Sequence, residues 1–184
     1  MLLRIRSSAW YALMVAVLAL LCDVTDAQHL RSAEASQMRF ISALVNDRAP
    51  GCGIEVEAIS QPYYLRFVLG LVVRERRIVP VGLSDLRAIG MNNQPSDLVP
   101  FTRSVLNARG TTVDLPAFER AEQDVRTVLD SLVSGRSFSV TYTNAKNGSS
   151  TTFAFPVAEA RSDLASVLQD CITTIDKMAR GTPR

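Results

Sequence analysis

Cys52 and Cys171 constrain this chain more than any other pair of residues, because a bond between them would close a loop of about 120 residues. The sequence holds one further cysteine, Cys22, which belongs to a different kind of segment. Residues 1–27 begin with Arg4 and Arg6 and run through an almost unbroken apolar stretch, Ala9 to Leu21. They end in a short polar tail at Ala27, with Thr25 two positions before it. That is the three-part layout of a secretory signal peptide, and its apolar stretch is too short to span a bilayer comfortably. Lipid attachment at Cys22 would need a small residue before it, and Leu21 stands there. Cleavage after Ala27 leaves about 157 residues in which Cys52 and Cys171 are the remaining cysteines. In an exported chain two such cysteines read as a disulfide. Redox-active pairs usually sit close together, as in C-x-x-C, whereas these lie at opposite ends. The chain-entropy model gives such a bridge on the order of 4–5 kcal/mol.

Residues 28–184 have room for one domain. Apolar residues make up 47% of the sequence and charged residues 21%, a globular rather than a disordered balance. The formal charge of +2 supplies no strong field to select a partner. Ala33, Phe40, Ile41, Leu44 and Val45 have helical spacing and predict a short helix from Ala33 to Val45, ended by Asn46 to Gly51. Ile54, Val56 and Ala58 alternate with Glu55 and Glu57, as in a half-buried strand. Gln61-Pro62 breaks that run, and Tyr63 to Val73 follows as a central strand. Arg74-Glu-Arg-Arg77 then reads as a charged hairpin tip, with a returning strand weakened by Pro80 toward an edge. A helical turn is expected over Ser84 to Ile89 and a loop over Met91 to Pro100, while Val105 to Val113 carries no clear pattern.

The second half is clearer. Asp114 and Pro116 suit a helix start, and Phe118, Ala121, Val125, Val128, Leu129 and Leu132 form one apolar stripe that stops at Gly135. Phe138, Val140 and Tyr142 alternate as a strand, Asn144 to Gly148 is turn-rich, and Ser149 to Phe155 returns as the partner strand. Ala158 to Met178 predicts a second helix with Leu164, Val167, Leu168, Cys171, Ile172 and Ile175 on one face. The order lacks βαβ alternation. It therefore predicts a single α+β domain: an antiparallel sheet with two long amphipathic helices and one disulfide.

Scarce residues exclude several chemistries. The sequence has one histidine, His29, at the very start of the processed chain, so Ser–His–Asp and Cys–His nucleophile systems have no ordered base. Neither Lys146 nor Lys177 lies in a Ser-x-x-Lys motif. His/Cys clusters of metal-binding spacing are absent, and Gly51-Cys-Gly53 is too short for a phosphate-cradling loop. Glu55 and Glu57 share a strand face about 7 Å apart, but a sugar cleft with aromatic platforms is missing, so they read as a solvated face. Arg74, Arg76 and Arg77 are either a hairpin tip that blocks edge pairing or a candidate interaction patch. No groove-reading helix or stacking motif accompanies them, so nucleic acid is not expected.

Three segments carry a likeness to a known family: Leu132-Val-Ser-Gly-Arg-Ser-Phe-Ser-Val-Thr-Tyr142, Thr152-Phe-Ala-Phe-Pro-Val157 and Asp163-Leu-Ala-Ser-Val-Leu-Gln-Asp-Cys171. Together they resemble the ending of small exported proteobacterial proteins of the invasion-associated locus B type. Members commonly carry a tryptophan close to the first cysteine of the processed chain, and Gly51-Cys-Gly53 has none nearby. The resemblance implies an envelope or secreted factor, linked in some members to host association, and transfers no active site. The expectation is a non-enzymatic accessory protein in the periplasm of a Gram-negative bacterium, or secreted beyond it, that binds another envelope protein. It needs no cofactor or metal, and keeps no stable membrane span once the leader is removed. The alternative is a carrier of a small ligand or lipid, whose apolar pocket would lie between the sheet and the two helices.

Overall fold

A computed structural model describes residues 29–42, 50–115, 121–157 and 159–181. Residues 1–27, where the sequence leads one to expect a leader, lie outside them. Among the described residues ten strands form two five-stranded sheets and two helices accompany them, a mostly β arrangement with α+β element content. The first sheet has the order β2 (Glu34–Ile41), β3 (Gly51–Ser60), β4 (Tyr63–Arg74), β5 (Arg77–Ile89) and β6 (Pro95–Leu98), antiparallel throughout. The second has the order β1 (His29–Ser32), β10 (Ser150–Phe155), β9 (Phe138–Asn144), β7 (Phe101–Ala108) and β8 (Thr111–Asp114). Its β1 and β10 are parallel, and its other pairs are antiparallel. Helix α1 spans Glu122–Val133 and α2 spans Ser162–Arg180.

Strand alternation builds the core. Cys52, Ile54, Val56 and Ala58 of β3 face the same side as Leu71, Leu69, Phe67 and Leu65, their partners on β4, and all eight are buried. At one end this face meets the second sheet: Tyr63 packs edge-on against Phe153, Phe67 against Phe138, and Ser84 Oγ donates to Tyr142 Oη at 2.8 Å. Burial pushes the Tyr142 hydroxyl well above its ordinary pKa. At the other end the same face meets the helices. Val125, Val128, Leu129 and Leu132 of α1 and Leu164, Leu168, Ile172 and Ile175 of α2 are the buried stripes. Cys52 and Cys171 are bonded, with Cα atoms 5.9 Å apart, and this ties α2 to β3.

Several sequence expectations are corrected. Two sheets replace the expected one. The helix over Ala33 to Val45 is instead strand β2 as far as Ile41, and residues 43–45 lie outside the described set. A register shift between Ala35 and Gln37 breaks its period-two pattern, which is why the apolar positions mimic helical spacing. Ser84 to Ile89 is not a helical turn, because β5 runs on with Leu86 opposite Leu65 in the core. Part of the loop expected over Met91 to Pro100 is strand β6. The unassigned Val105 to Val113 region belongs to the β7–β8 hairpin, turned at Arg109-Gly110 with positive φ at both. His29 opens strand β1 rather than trailing as a tail. Pro116 and Phe118 lie outside the described residues, and α1 ends before Gly135, which has φ +70°.

Candidate functional site

The face of the first sheet that points away from the core has two chemically distinct ends. Register sets its rows. Starting at the β4–β5 tip, Arg74 pairs with Arg77, Val72 with Val79, Gly70 with Val81, and Val68 with Leu83. Gly51 and Gly53 of β3 extend the middle rows. Further along, the face becomes charged: Arg39, Glu55, Glu57, Arg66, Asp85 and Arg87 stand on adjacent positions.

In the charged rows, Glu55 is 2% exposed, which corrects the expectation of a solvated carboxylate. Its two oxygens accept hydrogen bonds from Arg39 Nε on β2 and Arg66 Nε on β4. Glu57 lies 3.7 Å from Arg39 Nη2 and 4.0 Å from Arg66 Nε. Burial alone would raise the pKa of Glu55, but the two guanidinium hydrogen bonds outweigh it and hold the carboxyl below its ordinary value. A carboxylate held ionised in this way is unsuited to general acid work, which needs a raised pKa. Among the described residues no group of three or more His, Cys, Asp or Glu side chains is placed to hold a metal ion.

The tip behaves differently. Arg74, Arg76 and Arg77 are exposed and come together at the β4–β5 turn, as the sequence places them. The two turn residues, Glu75 and Arg76, have φ of +49° and +60°. A two-residue hairpin turn of this hand favours Asn-Gly, because asparagine tolerates the left-handed backbone better than other side chains and glycine has no β-carbon to strain there. Replacing Glu75-Arg76 by Asn-Gly is therefore expected to stabilise the fold by about 1 kcal/mol, read as a raised urea midpoint; a lowered midpoint would show that these side chains hold the turn.

Sequence reasoning missed two further cations at this end. Arg76 reaches the C-terminus of α2: a β-carbon built on Gly181 would lie 3.9 Å from Arg76 Nη1. Lys177 and Arg180 occupy the last turn of that helix and are exposed. The signal was available, because Cys52 pairs with Leu71, three residues before Arg74, and Cys171 precedes Lys177 by six. A disulfide between those positions carries the end of α2 toward the hairpin tip.

Among the described residues an open hollow of about 520 Å³ is lined by Asn107, Arg109, Ser137 and Phe155 among others, and two further hollows bear on the carrier reading. A void of about 30 Å³ lies between the sheets, lined by Tyr63, Phe101, Tyr142 and Phe153 among others, far below the volume of a ligand pocket. The groove of about 420 Å³ between α1 and α2 is lined with polar groups, including Arg109, Asp130 and Gln169. Across it Arg126 bridges Glu122 and Asp176, at 2.9 and 2.7 Å. An apolar carrier pocket between sheet and helices is not what these residues line.

The fold and this surface define a β-rich, disulfide-tied chain of two sheets with a basic hairpin end. Compared with known protein families, curated proteins and solved structures, the chain matches none.

Proposed function

We propose that the chain is an exported accessory protein of a Gram-negative cell envelope that acts by binding another envelope protein rather than by catalysis. The leader layout of residues 1–27 and the Cys52–Cys171 bond support export, since disulfides persist in oxidising compartments. The likeness of the Leu132–Cys171 segments to exported proteins of the invasion-associated locus B type points the same way. The observation that carries the interaction reading is the β5–β6 hairpin. Met91 in its turn is fully exposed and Leu98 on its second strand is 62% exposed. Two large apolar side chains held in water at a sheet margin suit a contact with another protein.

Crosslinking in the native envelope, followed by mass spectrometry, tests this. One dominant envelope protein is expected, and the pair M91E and L98D is expected to reduce its yield. A chain that recovers no protein but carries a small molecule in its intact mass would favour the carrier instead. The same mass reports the N-terminus: a start at Gln28 is expected, and an intact Met1 would overturn the export reading.

A further inference from the structure

The ion pairs divide the cations of this molecule into two groups. Arg39, Arg66, Arg87, Arg103, Arg126 and Arg161 each pair with a carboxylate. Among the other described cations, Arg31, Arg109, Arg136 and Lys146 stand singly on other elements, whereas Arg74, Arg76, Arg77, Lys177 and Arg180, none with a carboxylate within ion-pair distance, gather at one end. The disulfide and the docking of α2 gather them from distant parts of the sequence. Glu75 in the same turn offsets one of these five charges, and the repulsion among the rest is relieved when something anionic meets them.

What lies beside the cluster narrows that something. Arg77, Val79, Val81 and Leu83 alternate along β5 and so share its outward face. Leu83 is 65% exposed, and Val79 and Val81 are half-buried. A row of guanidiniums followed by an apolar strip fits the boundary of an anionic bilayer, where cations sit among phosphates and apolar side chains reach the acyl region. A nucleic acid or a soluble polyanion would gain nothing from Val79, Val81 and Leu83. The turn keeps Arg76 at a left-handed position that a relaxed Asn-Gly turn would fill with glycine, which carries no charge.

We propose that this end of the molecule binds a membrane surface bearing anionic phosphate headgroups, with Arg74, Arg76, Arg77, Lys177 and Arg180 at the phosphates and the outward row Val79, Val81 and Leu83 laid along the bilayer surface beside them. The site is separate from the Met91–Leu98 hairpin, which stands at the opposite end of β5, about 40 Å away by strand rise. The protein therefore has one end for lipid and the other for a protein partner.

Vesicle co-sedimentation tests the proposal on the full chain purified from cells, with its N-terminus fixed by intact mass. Phosphatidylglycerol-containing vesicles are expected to bind it and pure phosphatidylcholine vesicles to leave it in solution. R74Q/R76Q/R77Q is expected to weaken binding by about a hundredfold at low salt, and added salt to weaken the parent chain. R74K/R76K/R77K is expected to retain binding, and L83S to weaken it with the thermal transition unchanged. Several results would overturn the proposal: no binding to the anionic vesicles, equal binding to both kinds, or equal binding by the parent chain and the glutamine variant. The last would place binding in another segment, such as an uncleaved leader. Displacement by soluble glycerophosphate at matched phosphate concentration would show a headgroup site without a bilayer and overturn the membrane reading.

Discussion

Removing the Cys52–Cys171 bond is expected to lower the unfolding free energy by about 4–5 kcal/mol, a large share of the roughly 5–15 kcal/mol that holds a domain of this size together. The bond closes a loop across a sequence separation of 119 residues. Most of its effect lies in the unfolded chain, whose freedom it restricts, and that effect grows with loop length. The folded state also depends on it. Cys52 is fully buried at the start of β3, on its core face, and Cys171 is half-buried on α2. The variant C52A/C171A leaves two small apolar groups there, so that the bond rather than a buried hydroxyl is tested. Its melting temperature should fall by on the order of 10–20 °C. Adding reductant to the parent chain should give the same fall, and adding it to the variant should change nothing. A parent chain whose transition ignores reductant would show that α2 docks by its apolar face alone.

The parts of this fold that were legible in the sequence are those whose pattern is local. Tyr63 to Arg77 reads as a strand and a charged turn because the strand is continuous and the turn polar, and that is where β4 ends and β5 begins. The stripe from Val125 to Leu132 and the β9–β10 hairpin read correctly for the same reason. The cysteine pair was legible from its count and from the expectation of export, and the bond is present. Elements whose pattern is set by tertiary context were not legible. Strand β2 carries a bulge that shifts its alternation, so Phe40 and Met38 face the core while Ala33 falls outside the strand. Strand β7 turns Ser104, Leu106 and Ala108 inward, and two of those three are too small or too polar to mark a buried face.

The basic end follows the same division. Arg74, Arg76 and Arg77 are contiguous and stand out in the sequence. Lys177 and Arg180 join them only through the path of α2, which the disulfide sets. Exposed apolar residues of the β5–β6 hairpin were hidden because β6 was read as loop, and a leucine in a loop carries no signal. The charged rows were hidden more deeply. Glu55 faces outward by alternation, as expected, yet Arg39 and Arg66 close over it only because β2 and β4 flank β3 in this register.

Glu55→Gln is expected to destabilise the fold by about 2–3 kcal/mol and to remove part of its sensitivity to acid. The parent carboxylate accepts from two guanidiniums belonging to two neighbouring strands, so it joins β2, β3 and β4 on the outer face of the sheet. A glutamine amide has one acceptor oxygen and presents donors where the second oxygen stood, so one arginine loses that hydrogen bond and keeps only its longer contact to Glu57. Breaking a fully buried pair costs about 3–5 kcal/mol, and the lower figure applies here because Arg39 and Arg66 are about half exposed and can turn to water. The pH dependence has a definite sign. Glu55 is held below its ordinary value of 4.5 in the fold, so between the folded and unfolded pKa the unfolded chain binds the extra proton. This contribution is complete above about 4.5 and is lost as pH falls through the folded value. Urea unfolding of the parent chain and of E55Q across that range should give curves that are parallel near neutrality and converge in acid. Curves that stay parallel to the lowest pH at which the fold persists would mean that the two arginines do not hold the carboxylate ionised.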